Sequence, residues 1–171
     1  MHEMVDSFRY VSPLITRYYK LTRVEKELPI PWTPLPRPVN RCRFALVTTG
    51  GLYHQGHEPP FDLERERREP PWGDPSFRTL PTDMDPSQVG VSHFHINNKD
   101  VLEDMNILLP VTRFGELASE GLIGGLANHA YSFMGYQGFP SNLKAWKEVY
   151  GPQVAENMLA EEVDCVLLTT A

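Results

Sequence analysis

Long apolar runs are missing from this chain of 171 residues, and with them any stretch of about 20 hydrophobic residues able to span a bilayer. Met1 to Tyr10 carries Glu3 and Asp6 where a secretory leader needs an apolar segment. Cysteine is scarce. Cys42 and Cys165 are the only two, too few for a secreted disulfide framework, so a reducing cytoplasm is the expected address. An excess of basic charge is also lacking. The formal net charge is −6, the opposite of the basic face that nucleic acid or an anionic membrane selects. Nucleotide signatures are absent: no G-x-G-x-x-G follows the first strand and no G-x-x-x-x-G-K-[ST] occurs. Gly121, Gly124 and Gly125 are spaced wrongly for a phosphate loop.

Proline, by contrast, is abundant. The chain has 16, about twice the usual share. Five fall between Pro29 and Pro38, where helix and central strand are both excluded because proline fixes φ and removes a donor. Residues 1–40 therefore read as an N-terminal helix followed by an extended proline-rich arm. Phe8, Val11, Leu14, Ile15 and Tyr18 form the helical stripe, Pro13 interrupts it, and Trp32 is the anchor. Residues 41–171 read as an α/β domain carrying a polar insertion at 53–75.

Phe44 to Thr48 is β-rich without polar alternation, the mark of a strand buried on both faces. Phe77 to Leu80, Val89 to His95, Tyr131 to Met134 and Val163 to Thr170 are further extended candidates. Thr112 to Glu120, Asn142 to Tyr150 and Pro152 to Glu161 read as helices, with Gly151-Pro152 breaking one and opening the next. Strands alternating with helices give a mostly parallel, Rossmann-like sheet with flanking helices, incomplete at its C-terminus, where the last strand lacks a following crossover.

In such folds ligands gather at the carboxyl ends of the strands. Thr48, Thr49, Gly50 and Gly51 follow the first strand, and Thr169 and Thr170 end the last; these are the expected substrate-binding residues. His93 and His95 are two apart, so on a strand they share a face and could meet one substrate or one metal. Asp83, after a strand end, is either a turn former or a third catalytic group. His54 and His57 lack the carboxylates or cysteines that complete a metal set. Cys42 precedes a strand, at its amino end and away from the expected site, and Cys165 reads as mid-strand, buried and inert, so neither reads as a nucleophile. Two readings are open on the residues alone: a metal-dependent hydrolase using His93 and His95 with Asp83, and a non-catalytic binding module whose arm docks a partner.

An ordered set of short motifs points to a third. Trp32-Thr33-Pro34 precedes Ala45-Leu46-Val47-Thr48. Phe77-Arg78 with Pro81-Thr82-Asp83 is followed by Val91-Ser92-His93. Then come Asp104-Met105-Asn106, Pro110, Arg113, Phe133-Met134-Gly135, Gly151-Pro152 and Val163-Asp164. This set resembles the selenoprotein B family of glycine, sarcosine, betaine and D-proline reductases, nearest its D-proline side. Phe94-His95 stands where the proline reductases have glycines, and the insertion has no counterpart there. The resemblance implies an oxidoreductase that cleaves a C–N bond of a small amino-acid-like substrate. It implies a selenocysteine, or cysteine, directly after Ala171, so that a UGA codon read as stop would leave the chain truncated. It also implies a partner reductase subunit that can carry a pyruvoyl group, and a dithiol reductant. His93 then protonates the departing amine, and a threonine or backbone N–H at 48–51 holds the carboxylate. A homo-oligomer is expected separately, because the arm at 29–40 and the edge strands need cover.

Overall fold

The computed structural model describes residues 9, 12–14, 16–17, 33–94 and 96–171. It divides into two compact units, Met1–Pro34 and Leu35–Ala171. In the first, Pro13, Leu14, Thr16 and Arg17 are helical, and Thr16 N–H donates to Ser12 O at 2.9 Å. The rest of the expected N-terminal helix and Trp32 lie outside the described residues.

The second unit is built on β1 (Arg43–Thr48), whose residues alternate between two cores. Ala45 and Val47 face one apolar cluster with Tyr131, Phe133, Val154 and Met158. Leu46 faces the other with Leu80, Ala130, Leu108 and Leu109. A strand covered on both sides has no polar face, which is why FALVT shows no alternation. Along one edge β1 pairs in parallel with β5 (Gly125–Leu126) and β6 (His129–Phe133). Along the other it pairs in parallel with β7 (Cys165–Thr169), from Phe44↔Cys165 to Thr48↔Thr169. β3 (Phe77–Pro81) runs antiparallel to β6, with Phe77 opposite Phe133 and Pro81 opposite His129. The sheet is thus mixed but mostly parallel. The expected third strand shortens to β4 (Val89–Val91), which pairs with β2 (Leu52–His54) in a separate antiparallel ribbon.

Helices flank the sheet. α1 (Leu63–Arg68) lies in the insertion, and its first turn is capped by the Asp62 carboxylate accepting from Arg65 N–H at 2.9 Å. α2 (Asn98–Glu103) and α3 (Val111–Ser119) cover the Leu46 side. α3 stops where Gly121 turns to φ +71°. α4 (Gly151–Ala160) covers the Ala45 side.

Two expectations need correction here. Gly151-Pro152 does not break the helix. A wide π-turn over Trp146–Tyr150 runs straight into α4, and Gly151 N–H donates to Trp146 O, five residues back. Proline at 152 offers no N–H, and the widened turn absorbs the missing bond. Glycine permits it: a Cβ at Gly151 would stand 2.5 Å from Trp146 O. Nor is Cys165 in mid-strand. It opens β7 and is half-buried.

The insertion is polar yet fixed. Arg78, buried on β3, donates to the carbonyls of Pro59 and Pro60, stacks 4.1 Å over Phe61 and faces Asp74 at 3.6 Å. Asp74 accepts from Asp62 N–H and Ser76 N–H in turn. Removing one partner of a buried pair strands the other. Arg78→Ala is therefore expected to cost about 3 kcal/mol and to open residues 59–74 to proteolysis. Denaturant unfolding and limited digestion check both effects.

Glu161, after α4, closes the opposite end. Its carboxylate accepts from Asn128 N–H at 2.6 Å and meets His129 Nδ1 at 2.5 Å. Desolvation pushes Glu161 up, but the bonds from His129 and Asn128 outweigh it and hold the carboxyl below its usual range. A carboxylate depressed in the folded state stabilises above its unfolded pKa, and that contribution is lost as pH falls through the folded value. Thermal unfolding of wild type and Glu161→Gln should therefore differ at neutral pH and converge on acidification.

Candidate functional site at the carboxyl ends of the strands

Three parallel strands end together. After β1, Thr49 N–H donates to Thr169 O at 3.1 Å, and Gly51 N–H donates to Phe133 O at 2.9 Å. After β6, Gly135 N–H donates back to Thr49 O at 2.9 Å. After β7, Ala171 N–H donates to the Thr49 hydroxyl at 3.1 Å. Thr49 is the hub of all three loops.

The ribbon of β2 and β4 delivers His93 to the same place. Ser92 N–H donates to Gly51 O at 2.8 Å. Gly51 sits at φ +66°, where only glycine is comfortable, and a Cβ there would fall 2.4 Å from Ser92 O. His93 follows directly and is 3% exposed. Its Nε2 lies 3.3 Å from the point a Cβ on Gly135 would occupy, and Thr49 O lies 3.1 Å from that point. Thr49, His93 and Gly135 are therefore neighbours. His95 falls outside the described residues.

The insertion braces this corner. The Arg67 guanidinium stacks 4.3 Å over the ring of Phe94. Pro70 O accepts from Phe139 N–H at 3.2 Å, and Gln137 Nε2 bridges Asp74 O and Met134 O at 2.8 Å each.

Other expected residues fare differently. Thr48 is fully buried, and its Oγ accepts from Gly50 N–H at 3.1 Å, so it shapes the turn. The Thr169 hydroxyl is tied to the carbonyls of Val47 and Leu108. With Thr49, Gly50 and Gly51 N–H all donating inside the chain, the backbone of 49–51 has no free donor for a carboxylate. Thr49 and Thr170 line the cleft at the strand ends, and His93 lies beside Thr49.

Asp83 is at the other end of the sheet. β3 runs antiparallel, so its carboxyl end meets the start of β6, and Thr82 N–H donates to Asn128 O at 2.9 Å. The length of β6 separates Asp83 from Gly135 and His93, so the set His93 with Asp83 is not assembled. Asp85 only caps a one-turn helix, accepting from Ser87 N–H, which holds its carboxyl below the usual range. His54 and His57 stack at 4.0 Å in the turn after β2. Among the described residues no three His, Cys, Asp or Glu side chains gather to hold a metal.

Both cysteines lie at the amino ends of their strands. Burial, together with the neighbouring Cys42, pushes the Cys165 thiol up, away from the thiolate form that reacts. Gly135 and Ser92 carry the site as much as any predicted residue. Glycine after a strand signals only a stop, so their role became visible once β1 and β6 were in register.

The family model for glycine/sarcosine/betaine reductase selenoprotein B matches residues 14–171. A D-proline reductase subunit gamma from Acetoanaerobium sticklandii is 36% identical over 138 residues, covering 81% of this chain and 52% of that protein. A glycine reductase complex component B subunit gamma from Symbiobacterium thermophilum is 27% identical over 143 residues, covering 82% and 31%. The corresponding subunit from Carboxydothermus hydrogenoformans is 24% identical over 142 residues, with the same shares. The chain thus spans about half the length, or less, of these relatives. No solved structure matches it significantly.

Proposed function

The chain belongs to the glycine/sarcosine/betaine reductase selenoprotein B family, and from that premise we propose that it is a component of a reductase complex that cleaves a C–N bond α to a carboxyl group of a small amino-acid-like substrate. The observation that supports this reading is the meeting of Thr49, Gly135, His93 and Ala171 at the carboxyl ends of three parallel strands. Reductive C–N cleavage needs an anchor for the carboxylate, a proton for the leaving amine and a soft nucleophile.

Two of these are residues of this chain. The Thr49 hydroxyl accepts from Ala171 N–H and keeps its own proton to donate to a substrate carboxylate. Thr170 adds a second hydroxyl. His93, buried beside Gly135, protonates the amine as the bond to carbon breaks. Burial shields that transfer from bulk water and strengthens every charge interaction in it. The third requirement is met by a selenocysteine or cysteine adjoining Ala171, which supplies a low-pKa anion as the attacking group. Its position suits the geometry, since Ala171 is already bonded to the hub. The codon that follows Ala171 in the gene tests this last point.

By atom balance the C–N bond becomes C–H and N–H, while a dithiol becomes a disulfide. A partner subunit of the reductase complex and an external dithiol belong to the same proposal. Protein purified from its native host, incubated with a panel of amino acids and dithiothreitol, should release one amine for each dithiol oxidised. Dithiol consumption without amine, or no turnover of any amino acid in the presence of the partner subunit, defeats the assignment.

A further inference from the structure

On the α4 side of the sheet, the register places Leu168 beside Val47 and Val166 beside Ala45. Val47 and Ala45 are covered by the helix, whereas Leu168 is 70% exposed. Between them lies a cleft of about 290 Å³, walled by Val47, Phe133, Trp146 and Leu168, with Thr49 and Thr170 also in its lining. Its surface is almost wholly hydrocarbon. The wide turn at Trp146–Tyr150 sets the indole as one wall, 5.3 Å from the Phe133 ring.

We propose that this cleft is the side-chain subsite of the candidate site and takes a small carboxylic acid with an apolar body, up to a five- or six-membered ring in size. The inference rests on the reading above and narrows its substrate class. Three features carry it. Thr49 belongs both to the cleft and to the hub where the loops meet, so a ligand anchored there has its body directed along the apolar walls. The volume suits a small molecule: an apolar cavity of about 150 Å³ already takes benzene, whereas a docking helix needs a groove several turns long. A substrate with no side chain leaves the walls wet and gains nothing from them.

The full-length protein can be titrated with acetate, butyrate, hexanoate and cyclopentanecarboxylate, with binding followed by saturation-transfer NMR and tryptophan fluorescence. Each buried methylene should tighten binding about three- to fourfold, on the order of a hundredfold from acetate to hexanoate. Leu168→Gln changes an exposed residue and leaves the fold alone. It should weaken hexanoate about tenfold and acetate little. Val166→Gln, on the same strand face but outside the cleft, should leave the series unchanged.

A flat series, or an unaltered one in Leu168→Gln, overturns the subsite. So does self-association in sedimentation that Leu168→Gln abolishes, because a second copy then occupies the cleft. A flat series with dithiol-dependent amine release intact removes the subsite and leaves the reductase reading standing. A steep series with no amine released from any amino acid does the reverse.

Discussion

Turnover in His93→Ala is expected to fall by about 10²- to 10⁴-fold, the usual worth of a positioned general acid. The ring is buried beside the Gly135 backbone, one residue past the Ser92–Gly51 bond, so bulk water has little access to take over its role. Substrate affinity should change far less than kcat, because the proton is needed as the bond breaks rather than on binding. The rate loss should shrink for a substrate analogue whose leaving group needs no proton. Gly135→Ala is the graded companion. Its Cβ would stand 3.1 Å from Thr49 O and 3.3 Å from His93 Nε2, so both the loop carbonyl and the ring must give by a few tenths of an ångström. Near-normal kcat in His93→Ala removes the acid role from this residue.

Gly51→Ala should be the most destabilising single methyl group in the β1 loop. The residue sits at φ +66°, and the added Cβ would fall 2.4 Å from Ser92 O. Left-handed strain costs about 1–2 kcal/mol, and the clash must also break or stretch the Ser92 N–H to Gly51 O bond, worth about 1 kcal/mol net. A total near 3 kcal/mol corresponds to a drop in Tm of roughly 6–12 °C for a domain of this size. Gly56→Ala is the matched control. It has φ +79° but nothing within 4 Å of the added carbon, so only the strain remains. If the two variants melt together, the Ser92 contact is not what holds the ribbon in place. If Gly51→Ala melts early, catalysis should fail with it even at temperatures where the fold persists, because His93 is the next residue along.

The central strand is legible because it is covered on both faces. FALVT declares itself by having no polar alternation, VLLT shares that apolar run although Val166 and Leu168 are exposed, and α3 is bracketed by Pro110 and Gly121. What local pattern could not reveal was direction and partnership. Asp83 follows a strand as plainly as Thr49 does, yet β3 runs the other way and carries Asp83 to the far end. Strand orientation is decided by connections through space, which a window of ten residues does not contain. Gly151-Pro152 misled for a related reason: proline forbids one bond but not the wider turn that dispenses with it. At the candidate site, Thr49 and His93 are the expected residues that the fold brings together. Thr48 and the glycine N–H groups were read as ligand contacts because their internal partners, Thr169, Phe133 and Thr48 Oγ, are settled by register.

That internal lacing has a consequence for how such a protein diversifies. A site that greets its ligand with main-chain amides is bound to one anion geometry, since no substitution alters an amide. Here the amides of 49–51 are spent on holding the loops together, and under the proposed function recognition falls to the side chains around them. Exchanging Thr170, Leu168 or Val47 can then retune what is accepted while the loop frame keeps its shape, so kindred proteins can share this scaffold and part company over their substrates.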